Sequence, residues 1–224
     1  MLEELQRIPA AWRSVRGSRS FRNQLVFALL LFVVAHLHNF YCLRIWQDRP
    51  GTVINDMVLN LLPPSDFSLP IFFFEYSALL LAVLFIIPYP DRLVKGLQMY
   101  ALMIVARTVS IYLVPLEPPR DMVALWDPMA NLFLHTSTTF VTKDLFFSGH
   151  IATLSLVLLL VENRYVKSWI FLCTVVVGSL ILWQHVHYST DVAFAPLVSY
   201  VAYRFVLYIH RQTQYGLEVS NSNY

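Results

Sequence analysis

Charged residues are scarce in this chain of 224 residues, since Asp, Glu, Lys and Arg together make up only 13% of it. Soluble domains carry about 25%, so a disordered chain, a coiled coil and a nucleic-acid-binding domain are excluded. Cysteine is nearly absent as well. Cys42 and Cys173 both lie inside apolar runs, which is typical of small core residues rather than of a disulfide framework or a metal site.

Hydrophobic residues are abundant instead, at 57% of the chain. They form six stretches that each carry at most one charged residue, and each is long enough for a helix across about 30 Å of hydrocarbon. The sequence therefore predicts an all-α polytopic membrane protein whose six transmembrane helices lie within residues 23–210. The predicted spans are 23–43, 67–90, 96–116, 145–161, 168–190 and 192–210.

Basic residues indicate the orientation of these spans. Six spans place both termini on one side, and that side has eleven Lys and Arg residues against four on the other. The positive-inside rule then predicts that both termini are cytoplasmic. The basic segment 1–22 is either an amphipathic helix on the membrane surface or a tail without regular structure, because Pro9 interrupts its helical pattern. Residues 211–224 are expected to form a disordered tail.

Polar and ionisable residues are costly inside a bilayer, so those within the spans are candidates for function. In the predicted orientation they gather at one depth, near the outer ends of the helices. These candidates are Glu75 and Arg107 in the second and third spans, Asp144, Ser148, Gly149 and His150 at the start of the fourth, and His185, His187 and Asp191 at the turn between the fifth and sixth.

The spacing of His187 and Asp191 suits catalysis. Four residues apart on a helix or tight turn, Asp191 can accept a hydrogen bond from one ring nitrogen of His187 and leave the other nitrogen free to attack an electrophile. His150 is a candidate for the acid that protonates a leaving group. The alternative is a structural pair in which Asp191 caps the sixth span.

These residues resemble two motifs of the sphingomyelin synthase family, which belongs to the wider lipid phosphate phosphatase (PAP2-like) superfamily. Residues 144–150 read DLFFSGH, similar to D-x-x-x-S-G-H, and residues 187–192 read HYSTDV, similar to H-Y-[ST]-x-D-V. The family includes phosphatidylcholine:diacylglycerol cholinephosphotransferase-like members, and this chain resembles a minimal relative, such as a bacterial one. The resemblance implies six membrane helices, with the motifs in the fourth span and at the junction of the fifth and sixth.

Carried over position by position, the resemblance implies a double displacement without a metal or a cofactor. His187 is then the nucleophile that forms a phospho-histidine, and Asp191 holds its tautomer. His150 first protonates the departing lipid oxygen and then activates the incoming hydroxyl. Asp144 is implied to support the site from the membrane surface, and Ser148 and Gly149 to leave room for the phosphate oxygens.

The chain departs from the phosphatase branch of that superfamily. The branch carries K-x6-R-P and S-R-x5-H-x3-D motifs, but the first is absent here and Ile181 stands at the arginine of the second. A phosphodiester carries one negative charge and needs fewer cationic partners than a phosphate monoester, so Arg107 alone can serve. Thr142, Lys143 and Ile151 also differ from the sphingomyelin synthase motif and leave the identity of the substrate open.

Glu75 and Arg107 have two interpretations. Either Arg107 binds the phosphate and Glu75 binds the cationic head group, or the two form a buried ion pair between helices. Aromatic faces, that of Tyr188 among them, are further candidates for binding a cationic head group. A zinc site would need three or four ligands, and the spacing favours the metal-free motif.

The predicted function is that of an integral membrane enzyme that moves phosphocholine or phosphoethanolamine from a glycerophospholipid donor to a lipid alcohol, either ceramide or diacylglycerol. The alternatives are a phospholipase C-like hydrolase, a PAP2-type lipid phosphatase and a non-catalytic lipid-binding protein. No nucleic-acid partner is expected, and a homo-oligomer remains open. The active site is expected on the outer or lumenal face of a bacterial inner membrane or of a eukaryotic Golgi or plasma membrane.

Overall fold

The computed structural model describes residues 2–127 and 142–222. Over these residues the chain is all-helical, with seven α-helices and a short 3₁₀ turn at Leu59–Leu61. The helices are Leu2–Arg16 (α1), Arg19–Trp46 (α2), Ser68–Ile86 (α3), Pro90–Leu113 (α4), Gly149–Leu160 (α5), Arg164–Trp183 (α6) and Ser189–Ser222 (α7).

Five of the helices are long and apolar enough to cross a membrane, namely α2, α3, α4, α6 and the part of α7 over Ser189–Thr213. The chain is therefore an integral membrane protein, as predicted. Each predicted span overlaps one of the helices α2 to α7, but six full spans are not confirmed. The exception is α5, which has 12 residues where a transmembrane helix needs about 17–25.

Helix α5 is shorter than the predicted span 145–161 because residues 145–148 are not helical. Ser148 has extended backbone angles, with φ −62° and ψ 119°, and the helix begins at Gly149. An uncharged stretch marks a segment that suits an apolar environment, but it does not separate helical from extended residues. The sequence therefore overestimates the length of this helix.

Helix α5 lies at the centre of the bundle. It packs against α3, α4, α6 and α7, whereas α3 and α4 contact each other little. The peripheral helix α2 packs mainly against α4 and buries only Ala28 and Ala35. The buried residues of α5 are Ile151, Ala152, Leu154, Ser155, Leu156 and Leu160. A helix surrounded by protein in this way does not need the length that lipid contact on both sides of a bilayer requires.

Helices α2 to α7 alternate in direction, so the described residues of the segments that connect α2 to α3, α4 to α5 and α6 to α7 lie at the same end of the bundle, here called the site end. These segments are joined to one another. Thr52 and Leu116 form a parallel backbone bridge. Lys143 Nζ donates hydrogen bonds to Arg49 O at 2.7 Å and to Glu117 Oε1 at 2.8 Å.

Helix α1 lies at the opposite end of the bundle. Residues Leu2–Arg16 form a helix that includes Pro9. Trp12 Nε1 donates a hydrogen bond to Ile87 O at 2.9 Å, which fastens α1 to the end of α3. Its position on a membrane surface and the cytoplasmic location of both termini stay predictions.

Helix α7 extends to Ser222, into the segment 211–224 for which the sequence indicates a disordered tail. Residues 223–224, at the end of that tail, lie outside the described residues.

Candidate active site

The two motifs lie at the site end and are tied together through their backbones. Ser148 N donates a hydrogen bond to Asp191 O at 3.1 Å, which links the start of α5 to the first turn of α7. The rings of His150 and His187 lie edge to face, with centroids 6.4 Å apart and planes at 72°. The structure thus brings together two histidines that are 37 positions apart in the sequence.

His187 lies beside Asp191 in the interior. His187 Nδ1 is 3.4 Å from Asp191 Oδ2, and the two side chains are 3% and 0% exposed. Asp191 Oδ2 also accepts a hydrogen bond from Tyr188 N at 3.1 Å, so one carboxylate both caps the first turn of α7 and faces the imidazole. The two sequence interpretations of this pair are therefore compatible. Burial lowers the pKa of His187, and the neutral imidazole is the form that a nucleophile requires.

Glu75 on α3 is the partner of His150. Glu75 Oε2 is 2.8 Å from His150 Nδ1, and the Glu75 side chain is 9% exposed. With Nδ1 donating to the carboxylate, Nε2 is the nitrogen left to exchange a proton with a substrate. Each histidine therefore has a carboxylate of its own, although the spacing in the sequence indicates only the pair of His187 and Asp191.

Arg107 on α4 is 4% exposed and pairs with Asp144, whose Oδ1 lies 2.7 Å from Arg107 Nη2. The same nitrogen donates to the Asp144 carbonyl oxygen at 3.0 Å. The ion pair between Glu75 and Arg107, one of the two sequence interpretations, is not formed because each residue has another partner. The guanidinium also lies against the first turn of α5, where a Cβ added at Gly149 would be 3.2 Å from Arg107 Cζ. Glycine at this position leaves the guanidinium its place beside the helix.

Arg107 Nη1 and Ser148 Oγ are buried and have no hydrogen-bond partner among the described residues. His187 Nδ1 and Asp144 Oδ1 have no hydrogen bond either, but they face Asp191 and Arg107 at 3.4 and 2.7 Å. Buried polar groups are nearly always paired, so an unpaired guanidinium nitrogen and an unpaired hydroxyl close together indicate a place for a ligand. They lie beside the N-terminus of α5, where free backbone N–H groups attract anions. We call Arg107, Ser148 and the first turn of α5 the anion cradle. A phosphate group would supply the missing acceptors.

No group of three or more His, Cys, Asp or Glu side chains in residues 2–127 and 142–222 is placed to hold a metal ion. Cys42 and Cys173 are both free thiols. The titratable side chains that meet at the site are the two histidine–carboxylate pairs, Arg107 and Asp144.

Tyr188, a candidate for binding the head group, lies behind the site. Its hydroxyl donates to Glu117 O at 3.0 Å and accepts from Ile54 N at 3.2 Å. The residue is 1% exposed and belongs to a small apolar cluster that includes Leu59 and Leu145. Through these two hydrogen bonds Tyr188 joins the turn 184–188 to the loops that contain Ile54 and Glu117. Its hydroxyl is therefore not available to a substrate.

Sequence reasoning missed two residues that hold the same turn. Gln184 is 0% exposed, accepts a hydrogen bond from Phe67 N at 2.8 Å and donates one to Ser68 Oγ at 3.0 Å. Asp56 Oδ2 accepts a hydrogen bond from Ser189 N at 2.6 Å. A polar amide at the end of an apolar span was a signal for Gln184, but Asp56 gives none because its partner is 133 residues away.

Comparison with known families supports the PAP2-like part of the resemblance. The PAP2 superfamily C-terminal model matches residues 143–210. The matched segment contains both motifs, α5, α6 and most of α7. It supports the PAP2-like superfamily, whose members are typically enzymes with phosphatase or phosphotransferase activity on lipids. No curated protein matches the chain.

Proposed function

We propose that the protein is a phospholipid head-group transferase of the sphingomyelin synthase type. It moves phosphocholine or phosphoethanolamine from a glycerophospholipid to ceramide or diacylglycerol. The observation that carries the proposal is the pair of facing histidines, each with its own carboxylate, beside an anion cradle with unpaired donors. The superfamily match supports phosphoryl chemistry on lipids in general.

In the first step the donor phosphate occupies the anion cradle, and His187 attacks the phosphorus. Nδ1 of His187 faces Asp191, so Nε2 is the attacking nitrogen. A P–N bond forms, and the bond from phosphorus to the diacylglycerol oxygen breaks. His150 gives its Nε2 proton to that oxygen, while its Nδ1–H stays hydrogen-bonded to Glu75. The products are diacylglycerol and a phospho-histidine that carries the head group.

In the second step the acceptor alcohol takes the place of diacylglycerol. His150, now lacking the proton on Nε2, accepts the hydroxyl proton of the acceptor, and the alcohol oxygen attacks the phosphorus. The P–N bond breaks and His187 is restored as a neutral imidazole. Water in place of the alcohol would give the phospholipase C-like hydrolysis by the same route.

Charges at the anion cradle favour a phosphodiester as the substrate. The cradle contains one cation, Arg107, and Asp144 is already paired with it. A phosphate monoester would bring about two negative charges to this single guanidinium, whereas a phosphodiester brings one. Ile181, at the arginine position of the phosphatase branch, is 0% exposed in the apolar core and supplies no charge. The superfamily match keeps a lipid phosphatase as the second candidate.

The distribution of basic residues supports an outer or lumenal position for the site. Of the sixteen Lys and Arg residues, eleven lie towards the end of the bundle opposite to the site end. By the positive-inside rule that opposite end faces the cytoplasm. The phospholipid donor and the lipid acceptor are then taken from the outer leaflet.

A head-group transfer assay tests the proposal. The purified protein is placed in liposomes with phosphatidylcholine or phosphatidylethanolamine labelled at phosphorus, and ceramide, diacylglycerol or no acceptor is added. We expect label to move to a lipid acceptor and His187→Ala to lose about 10³-fold or more of the rate, as loss of a nucleophile does elsewhere. His38→Ala, at an exposed histidine on α2, is the matched control and should keep full activity.

The products separate the alternatives. Label trapped on the wild-type protein without acceptor, and absent from His187→Ala, supports the phospho-histidine. Release of water-soluble phosphocholine or phosphoethanolamine alone would indicate the hydrolase, and phosphate released from phosphatidic acid would indicate the phosphatase. Lipid binding with no turnover of any donor would contradict the enzyme proposal.

A further inference from the structure

His185 joins two loops to the turn that carries His187. Its Nε2 lies 3.0 Å from Leu62 O, in the segment between α2 and α3, and its Nδ1 lies 3.3 Å from Arg120 O, in the segment that follows α4. The residue is 5% exposed. Its φ of 56° is in the left-handed region, which a histidine adopts only where the surrounding contacts hold it there.

Both partners of the imidazole are carbonyl oxygens, which only accept hydrogen bonds. A neutral imidazole has one N–H group and the imidazolium has two, so both contacts are hydrogen bonds only when His185 is protonated. We propose that protonated His185 is a positioning residue that fastens both loops to the turn 184–188 and thereby holds His187 in place. Loss of its proton releases one loop, so the order of the site depends on pH. The consequence for catalysis rests on the function proposed above.

His185 helps to line a cavity of about 620 Å³ at the site end. The charged and titratable side chains that face this cavity are Asp56 from the first loop, Arg120 and Asp121 from the second, and Tyr188 from the turn itself. None of these side-chain types ordinarily titrates between pH 5.5 and 8. A change in the loops over that interval therefore reports on histidine.

The remaining contacts of the turn do not depend on a histidine proton. Gln184 and Tyr188 bind the same two loops through an amide and a phenol. Deprotonation of His185 is consequently expected to loosen one loop without unfolding the site end. A graded effect of this kind separates positioning from a general loss of structure.

Three measurements on the full-length protein in lipid nanodiscs test the inference. Nitrogen-15 NMR of labelled histidines reports whether both ring nitrogens of His185 carry protons, with His185→Gln used to assign the signal. Hydrogen exchange of the two loops is followed from pH 5.5 to pH 8 in the wild type and in His185→Gln, which corrects for intrinsic exchange. The pH profile of kcat for head-group transfer is measured in parallel, with His38→Gln as the control.

We expect the imidazolium signature at pH 5.5 and, as it disappears, about tenfold faster exchange in one loop, which corresponds to about 1.4 kcal/mol. This step should be absent in His185→Gln and present in His38→Gln. A single neutral tautomer over the whole range, or loop exchange that does not change with the His185 signal, would overturn the inference. If His185→Gln does not fold, His185→Asn, a residue type that tolerates the left-handed backbone, serves for the assignment and for the comparison of exchange. The absence of turnover would count against the proposed function alone, because the first two measurements do not need activity.

Discussion

Replacement of Gly149 by alanine tests whether the close approach of Arg107 to α5 matters for the reaction. The added Cβ would lie 3.2 Å from Arg107 Cζ and 3.4 Å from both Nε and Nη1. Such contacts are closer than most Cβ contacts, so the guanidinium must move by a few tenths of an ångström. It cannot move freely, because Asp144 holds Nη2 at 2.7 Å and the side chain is 4% exposed. The displacement is therefore transmitted to the donors of the anion cradle.

The expected cost follows from that displacement. A misplacement of about 1 Å costs about 10²-fold in rate, so a few tenths of an ångström should cost about tenfold in kcat/KM, or about 1.4 kcal/mol. Stability should not fall, because Gly149 does not have a positive φ and alanine at such a position reduces the entropy of the unfolded chain, which stabilises by about 0.4–1 kcal/mol. Gly178→Ala on α6 is the matched control, since its Cβ would meet Ile151 and Val192 at an ordinary 3.5 Å.

Head-group transfer and thermal unfolding are measured for both variants in the same liposomes. The expected result is a slower Gly149→Ala enzyme with an unchanged or higher Tm, beside a Gly178→Ala enzyme with wild-type activity. Wild-type activity in Gly149→Ala would refute the argument that Arg107 needs its place against the helix. Equal losses in both variants would mean that any alanine in this core disturbs the reaction.

Three further substitutions have distinct expected outcomes. Asp191→Asn should lower kcat in the transfer assay by about 10³–10⁴-fold, because the amide no longer favours the His187 tautomer with its proton on Nδ1. Ser148→Ala removes a buried hydroxyl that has no partner among the described residues, so it should lower kcat/KM by about tenfold while the Tm measured by scanning calorimetry stays constant or rises. Asp56→Asn tests acid stability. Burial opposes ionisation of Asp56, but hydrogen bonds led by that from Ser189 lower its pKa overall. The carboxylate thus stabilises the fold above about pH 4 and loses this effect as the pH falls through the lowered pKa, a slope that should be absent from the Tm–pH curve of the variant.

The sequence was sufficient to predict contacts between residues that are close to each other along the chain. The spacing of His187 and Asp191 placed their side chains side by side, and the structure has them 3.4 Å apart. The six stretches with little charge predicted the approximate positions of helices α2 to α7, because a helix in a membrane places apolar side chains against lipid or against other helices. These are local properties, and a single sequence contains them in full.

The sequence was not sufficient for pairs formed between helices. Glu75 and Arg107 lie at similar depths, and depth is what hydropathy and loop charges reveal. The direction in which each side chain points around its helix depends on packing, and that direction decides the partner. Glu75 faces His150, 75 positions later, and Arg107 faces Asp144, 37 positions later. Similar depth in the membrane is equally consistent with a pair of Glu75 and Arg107, which the structure does not form.

The unexpected shortness of α5 has a chemical consequence. Had the helix begun at residue 145, its free N–H groups would lie about 6 Å further out, at 1.5 Å per residue, and among the loops. Because it begins at Gly149, these groups lie beside Arg107 and the Ser148 hydroxyl. A helix N-terminus carries about half a positive charge and needs no cationic side chain in the membrane. The N-terminus of the short helix α5 thus adds positive potential at the anion cradle, to which Ile181, buried in the apolar core, adds none. Under the proposed function, this potential is expected to suit the one negative charge of a phosphodiester better than the two of a monoester.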